Sequence, residues 1–406
     1  MNFQEYIKLD GTAIANLVNK KEVTAKEIIE IAIKRIEAVN PEVNAVIYQM
    51  FDEAKKVIDT NNILNKPFSG VPLLLKDLLG AYKGYPLSNG SISLKRNISQ
   101  QNSEMVDRYL SAGTIILGKT NTPEFGIMGV TEPKAFGPTR NPWNLQNSPG
   151  GSSGGSAAAI AAGIVPIASG GDGGGSIRIP ASFCGLYGMK PTRGRTPNGP
   201  HHGSLWEGAT VQHIISRSVR DSARMLDITS ASFQPSPYSI LPNTVKYEDI
   251  ILRSPSKLKI GFTRQHPLGE KIDPDCLLAL EDSIKKLESL GHHLEETSFP
   301  INGAELAKSY ITMVCGQVSA EVEELDASFR NQLELTTQTL ALIGNNINAT
   351  EYITQKNKWH KFSQQLFNFH QNYDLLLTPT TATSHIKVGQ LAPKTHEDLL
   401  MKVVNK

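Results

Sequence analysis

The segment GGSSGGSAAAIAAGIVPIASGGDGGGSIR, residues 150–178, places an apolar stretch between two runs of glycine and serine. In isolation, this composition is typical of a solvated spacer or of a nest of backbone N–H groups that binds an anion. A second interpretation divides it into a loop that opens a helix over SSGGSAAAIAAG and a strand over IVPIAS. The segment alone leaves both interpretations open.

The helix–strand interpretation brings three polar side chains to one edge of a sheet. A helix of about ten residues runs roughly 15 Å and a strand of about six returns roughly 20 Å, so Ser152 and Ser176 end near each other. Lys76 ends the apolar run in FSGVPLLLK, and a strand parallel to IVPIAS would open onto the same edge. We therefore expect a lysine and two serines to converge there.

The glycines of GGDGGGS lack Cβ atoms, so the backbone can turn sharply and approach a ligand. Successive N–H groups can then point into one concavity and stabilise a developing oxyanion, where loss of one donor typically costs about 2.7–4 kcal/mol of barrier. Nucleotide-binding fingerprints do not fit, because the segment lacks GKS or GKT and the G-x-G-x-x-G order.

The rest of the chain alternates helical and strand patterns. The run TAKEIIEIAIKRIEAVN predicts an amphipathic helix capped by Thr24, and KLKIGFT, DPDCLLALEDSIKKLESLG and HHLEETSFP predict strand, helix and strand. Such alternation is typical of an α/β fold with a mixed, largely parallel central sheet. We expect one domain over residues 1–406, with core motifs at 70–225 and a mostly helical region at about 301–370.

Composition narrows the classes of function. Lys and Arg total 41, Asp and Glu total 39, and the formal net charge is +2, so no charge excess indicates a nucleic-acid partner. We find no signal-peptide pattern and no apolar run of membrane-spanning length. Cys184, Cys276 and Cys315 lack metal-ligand spacing. These features predict a cytoplasmic protein that binds a small molecule.

The glycine-rich motifs resemble a known family. GGSSGGSAAAIAAG and SGGDGGGSIRIPASFCGLYGMKPTRGR closely resemble the motif that defines the amidase signature family, and GVPLLLKD resembles its upstream lysine motif. KTNTPEFG and GPTRNPWN are also similar, so the resemblance covers most of the chain. It implies the amidase signature fold, with helices on both faces of the central sheet and a functional loop in place of a spacer.

The resemblance also implies a Ser-cis-Ser-Lys triad. Ser176 matches the nucleophile that attacks the amide carbonyl, and Ser152 matches a serine that follows a cis peptide bond and relays the proton. Lys76 matches the base. Such a site needs neither a metal nor an organic cofactor, so the resemblance implies none. The backbone N–H groups of the oxyanion hole match Gly173, Gly174, Gly175 and Ser176.

A lysine acts as a base at neutral pH only where its surroundings lower its pKa. The ordinary lysine pKa of about 10.4 must fall by roughly three pH units before the amine accepts a proton at neutral pH. Burial beside Leu73, Leu74 and Leu75 would lower the pKa of Lys76, whereas contact with Asp77 would raise it. Because consecutive strand residues face opposite sides, Lys76 and Asp77 can avoid contact.

Further residues are expected to support the site. Ser153 is predicted to add a hydrogen bond, and Asp172 with Arg178 is predicted to form a buried structural ion pair. Cys315, in the helical run MVCGQVSA, and Trp206, beside Glu207 and Gly208, are candidate substrate contacts.

The sequence departs from the family pattern in two places. Gly171 stands where many members carry serine or threonine. The family also continues beyond the strand predicted at YDLLLTPTTAT, whereas this sequence ends after KTHEDLLMKVVNK. A shortened sheet edge would expose apolar surface, so we expect either a homodimer or partner that covers it, or a protein of impaired stability.

The sequence thus predicts an amidase for small linear or cyclic carboxamides, with an acyl-enzyme formed on Ser176 and released by water. SGGDGGGSIRIP and SRSVRDSARMLD are more similar to the branch containing 6-aminohexanoate cyclic-dimer hydrolase than to the subunits that load tRNA. An amidotransferase subunit that supplies ammonia to a partner remains an alternative. A non-catalytic remnant that binds ligands or partners is another.

Overall fold

The computed structural model of the chain describes residues 1–59, 63–230, 236–238, 240–397 and 401. The chain separates into two compact units. The first is built mainly from Met1–Leu252, joined by Asn331–Glu334 and His385–Ala392, and the second mainly from Arg253–Arg330 and Leu335–Ser384. The sequence predicts one domain over residues 1–406, and the division into two compact units does not test that prediction.

The first unit contains a six-stranded mixed sheet in the order β1-β3-β2-β4-β6-β5. The central strand β2 pairs in parallel with β3 and β4, while the outer pairs are antiparallel. The predicted mixed α/β fold, parallel at its centre, is confirmed. The strands are β1 (Val46–Gln49), β2 (Pro72–Lys76), β3 (Ile115–Thr120), β4 (Ile167–Asp172), β5 (Tyr187–Gly188) and β6 (Val211–Ser216).

The glycine-rich segment forms a loop, a helix and a strand, as the second interpretation predicts. Strand β4, however, begins three residues later than the predicted IVPIAS strand and continues through Gly170 and Gly171. The reason is the register with β6, which pairs all six residues of β4 from Ile167 to Asp172. The strand therefore carries the glycines directly to the sheet edge.

Helices surround this sheet. Thr24 begins the long amphipathic helix with a capping box, in which its side chain accepts from the Glu27 N–H and the Glu27 carboxylate accepts from the Thr24 N–H. The helices of the first unit are α1 (Phe3–Tyr6), α2 (Gly11–Asn19), α3 (Ala25–Val43), α4 (Phe51–Asp59), α5 (Glu104–Ser111), α6 (Gly154–Ala161), α7 (Arg178–Cys184), α8 (Val219–Thr229) and α9 (Tyr247–Ile250).

Small residues let α6 approach the sheet closely. Seven of its residues, Gly154 to Ile160, are buried. A Cβ atom on Gly155 would lie 2.5 and 2.6 Å from the backbone N and O of Asn121, which directly follows β3. The N-terminus of α6 is therefore pressed against the end of β3, and the Ser152–Ser153 loop lies at the carboxyl edge of the parallel strands.

The second unit holds a three-stranded parallel sheet in the order β8-β7-β9. The strand, helix and strand predicted for residues 257–299 are observed, as is the helical region at 301–370, but these strands form a sheet of their own. Of KTHEDLLMKVVNK, most lies outside the described residues. The elements are β7 (Lys259–Phe262), α10 (Pro274–Ser289), β8 (His293–Glu296), α11 (Gly303–Glu323), α12 (Ala327–Arg330), α13 (Leu335–Asn345), α14 (Ala349–Phe369) and β9 (Leu375–Leu377).

Because α6 lies so close to β3, we expect a glycine-to-alanine substitution in α6 to lower the stability of the protein instead of raising it. In an open helix, Gly→Ala stabilises by about 0.8–1 kcal/mol, but Gly155→Ala should destabilise the protein by about 1–3 kcal/mol, because the added methyl group meets backbone atoms that cannot rotate away. Gly129→Ala is the control, since a Cβ there meets nothing within 4 Å. Urea unfolding of both variants checks this, and an unchanged or higher stability of Gly155→Ala would contradict the packing.

Candidate active site

Lys76 and Ser152 meet in the interior of the first unit. The Lys76 side chain ends β2, is 1% exposed, and places Nζ 2.7 Å from Ser152 Oγ and 3.5 Å from the carbonyl O of Gly171. Its backbone N–H donates to Ser169 Oγ at 2.8 Å. The parallel pairing of β2 with β4 thus delivers the amine to the loop that opens α6.

The surroundings of Lys76 favour the neutral amine. Burial lowers the pKa of Lys76 to about 7, and the carboxylate of Asp172 opposes this effect. This shift favours the unprotonated amine at neutral pH far more than in an ordinary lysine.

Ser152 is held on a distinctive stretch of backbone. The peptide bond between Gly151 and Ser152 is cis, as the resemblance implies, and Ser152 is 1% exposed. Gly126, in a 3-10 turn over Glu124–Gly126, approaches so closely that a Cβ atom there would lie 3.1 Å from Ser152 Oγ. Gly126 also has φ of +68°, a conformation that favours glycine.

Ser176 lies directly before α7 and is partly exposed. Its carbonyl O accepts a hydrogen bond from the Ser153 N–H at 3.2 Å, which joins the two serine-bearing loops. Within the described residues, no hydrogen bond links Ser176 Oγ to Ser152 or Lys76. The structure therefore brings the lysine and the first serine into contact and places the second serine on the adjoining loop.

The glycines before Ser176 have unequal roles. The Gly175 N–H donates to Asp172 Oδ1 at 2.7 Å, so in this structure it is engaged and does not point to a ligand. Gly173 is packed against Trp206 and Thr210, and Gly174 is exposed. Of the four predicted oxyanion donors, those of Gly173, Gly174 and Ser176 are the ones that Asp172 leaves available.

Asp172 organises this loop. Its fully buried carboxylate accepts from Arg178 Nε and Nη2, both at 2.9 Å, as well as from the backbone of Gly175 and Ile177. Burial raises the pKa of Asp172, but the hydrogen bonds and the charge of Arg178 outweigh it and hold the pKa below its usual value. The Arg178 side chain is 46% exposed, so the expected pair is buried only at its acidic end.

Two neighbouring positions complete the loop contacts. Ser153 Oγ lies 3.3 Å from the Gly171 N and 3.4 Å from the Gly171 O. A Cβ atom on Gly171 would meet only ordinary contacts, at 3.8 Å from Leu79 and 3.9 Å from the Val211 carbonyl. Packing therefore leaves room for the serine or threonine of other family members.

The two candidate substrate contacts lie in different units. Trp206 opens a 3-10 turn over Trp206–Gly208, whose three residues all have positive φ, and its ring packs on Gly173 next to the exposed Gly174. Cys315 is buried in α11 of the second unit, where burial raises the pKa of its thiol. Only Trp206 is thus placed beside the glycine loop within one unit.

Sequence reasoning did not identify Ser169, Gly126 or Lys119 as parts of this region. Ser169 closes the predicted strand IVPIAS, and a hydroxyl at the end of a buried strand is a usable signal. Lys119 is a lysine within the apolar strand TIILGKTN, which also could have been noticed. Gly126 ends the family-like motif KTNTPEFG, but the motif does not show that this turn approaches Ser152 in the folded chain.

In the part of the chain that the structure describes, no group of three or more His, Cys, Asp or Glu side chains is arranged to hold a metal ion. Over the same residues, no helix is both long and apolar enough to cross a membrane.

The buried amine of Lys76, in contact with Ser152 Oγ beside the glycine-rich loop, is the candidate active site. The Amidase family model matches residues 27–406, and the chain belongs to this family of amidase signature enzymes, as its sequence motifs predict. It is an amide C–N hydrolase.

Named relatives agree with the family. The 6-aminohexanoate-cyclic-dimer hydrolase of Pseudomonas sp. strain NK87 is 33% identical over 395 residues, which cover 94% of this chain and 79% of that protein. The acylamidase of Rhodococcus erythropolis is 33% identical over 95% of this chain and 81% of its own. A solved structure of 6-aminohexanoate cyclic dimer hydrolase matches with a TM-score of 0.90 at 33% identity, covering 97% of this chain and 83% of that one.

Proposed function

We propose that this amidase hydrolyses the carboxamide bond of small linear or cyclic amides through an acyl-enzyme on Ser176. The observation that carries the proposal is the 2.7 Å contact between the buried amine of Lys76 and Ser152 Oγ. The names of two relatives, a 6-aminohexanoate-cyclic-dimer hydrolase and an acylamidase, support small amides as the substrate class.

In the first half of the reaction, Ser176 transfers its hydroxyl proton. Ser176 Oγ attacks the carbonyl carbon and passes its proton to Ser152 Oγ, while Ser152 passes its own proton to the neutral Lys76 amine. The carbonyl oxygen becomes negatively charged and is stabilised by the N–H groups of Gly173, Gly174 and Ser176. This step requires Ser176 Oγ to come within hydrogen-bonding distance of Ser152 Oγ.

The second half returns the proton. The Lys76 ammonium gives a proton through Ser152 to the departing nitrogen, so the C–N bond breaks and the amine or ammonia leaves. Water then attacks the acyl group on Ser176 and gives a proton through Ser152 to Lys76. The bond between Ser176 Oγ and the acyl carbon breaks, Lys76 returns the proton through Ser152 to Ser176 Oγ, and the acid leaves. Asp172 keeps the loop in shape through Arg178 and does not touch the reacting atoms in this scheme.

Trp206 is the substrate contact that the geometry of the first unit supports best. Its ring lies on Gly173, beside the exposed Gly174 and the partly exposed Ser176. A left-handed turn at three successive residues fixes this position, since a non-glycine residue adopts positive φ only where the surrounding structure demands it. The indole face would cover an apolar part of the amide. Cys315 stays a predicted second contact.

A fluorophosphonate probe tests the nucleophile. We expect intact-mass analysis to show one adduct on the native protein and none on Ser176→Ala, since the hydroxyl that forms the bond is gone. Ser152→Ala and Lys76→Met should be labelled about 10²–10⁴-fold more slowly, because the proton of Ser176 then has no acceptor.

Ser182→Ala, which alters an exposed serine of α7, is the matched control and should react like the native protein. A native protein that is folded and remains unlabelled would reject the proposal. So would labelling of Ser176→Ala at the native rate.

The pocket role of Trp206 predicts a selective loss. In Trp206→Ala, kcat/KM for an amide with a bulky apolar acyl group should fall tenfold or more, in line with about 1.5–3 kcal/mol for a large apolar contact. Acetamide, which is too small to reach the ring, should change little, and Trp206→Phe should lie between. An equal loss for both substrates would indicate a structural role only.

A further inference from the structure

A second buried lysine lies on the strand beside Lys76, and the proposed reaction does not use it. Lys119 is on β3 and is fully buried. The parallel register aligns Leu75 with Lys119 and Lys76 with Thr120. Because side chains alternate along a strand, Lys119 faces the side of the sheet opposite Lys76.

Lys119 and Asp77 neutralise each other in the interior. Lys119 Nζ lies 3.7 Å from Asp77 Oδ1, and neither side chain is exposed. Asp77 also accepts from the Ser88 N–H at 3.2 Å and from the Ser88 hydroxyl, while Lys119 donates to the Pro86 carbonyl. Asp77 directly follows Lys76 in the chain, so this balanced pair lies next to the candidate base.

The same cluster is tied to Ser152. The Asn89 carbonyl, one residue beyond Ser88, accepts from the Phe125 N–H at 2.8 Å, and Gly90 packs on the backbone of Pro123. Phe125 leads into Gly126, which lies against Ser152 Oγ. Asp77 of this pair is thus next to Lys76 in the chain, and the 88–90 segment connects it to the turn that lies against Ser152.

Other charged groups lie on the described elements around Lys76. From β4 comes Asp172, which faces Arg178 and also Lys190. The turn beside Ser152 carries Glu124, whose carboxylate accepts from Ser91 Oγ and the Glu334 N–H. On the other side of the sheet, Tyr48 of β1 faces Asp77. Asp77 directly follows β2, next to Lys76 in the chain, and Lys119 is the cation that balances it.

We propose that Lys119 is a positioning residue for the reaction, which holds the Asp77 charge balanced so that Asp77 does not stabilise the protonated form of Lys76. The inference rests on the proposed function of Lys76 as the base. Burial raises the pKa of Asp77 to about 6 and lowers that of Lys119 to about 8, with each partner opposing the other's shift, so both are charged at neutral pH. An uncompensated anion nearby would favour the ammonium form of Lys76.

The test is the pH dependence of acylation. Fluorophosphonate labelling of Ser176 would be timed from about pH 5.5 to 10 in the full-length native protein, Lys119→Met, Asp77→Asn/Lys119→Met and Lys259→Met. The last variant is the control, because it breaks a half-exposed pair with Glu295 in the second unit. Urea unfolding confirms that each variant is folded.

We expect the acidic limb of the native profile near pH 7. In Lys119→Met it should move up by about one pH unit, so that labelling at acidic pH slows about tenfold. The neutral double variant should regain the native limb, and Lys259→Met should keep it. If Lys119→Met does not fold, Asp77→Asn supplies the test, since the unopposed charge of Lys119 should move the limb to lower pH.

A folded Lys119→Met with the native acidic limb would overturn the inference. A double variant that keeps the shifted limb would also overturn it. Where Lys119→Met does not fold, an unchanged acidic limb in Asp77→Asn would overturn it. In these cases a labelled native protein leaves the proposed function intact. Absence of any Ser176 adduct on the folded native protein would instead reject the proposed function, and this inference with it.

Discussion

The site depends on one interaction, the contact of a desolvated amine with a serine hydroxyl. An ammonium ion is poorly accommodated without water, so burial among the apolar residues of β2 favours the neutral form of Lys76. In this buried position, Lys76 Nζ lies 2.7 Å from Ser152 Oγ. The sheet provides the rigidity, because β2 is fully buried and paired on both sides.

Two close approaches of backbone surround this contact. The small residues of α6 allow its N-terminus to reach the end of β3, and Gly126 allows a tight turn to reach Ser152. Asp172 then shapes the loop before Ser176 by accepting hydrogen bonds from its backbone and from Arg178. Two buried carboxylates of this region are each matched to a cation, Asp172 to Arg178 and Asp77 to Lys119.

Much of this was predictable from order along the chain. The helix and strand pattern of residues 150–178, together with the apolar run before Lys76, is sufficient to place Lys76 and Ser152 at one edge, and the motifs identify the family. The engagement of the Gly175 N–H by Asp172 was not predictable, because it depends on the conformation of the loop. The pairing of Asp77 with Lys119 likewise depends on the register of two strands, and the separate sheet of the second unit on pairings among residues far apart in sequence.

The most direct measurement is the titration of the Lys76 side chain itself. Spectra of protein labelled with ¹³C and ¹⁵N in lysine, compared with those of Lys76→Met to assign the signal, report protonation of this amine as pH is varied. The account predicts a midpoint near pH 7, far below the ordinary lysine pKa of about 10.4. A midpoint above about pH 10 would show that Lys76 is an ordinary ammonium group, which cannot serve as the base.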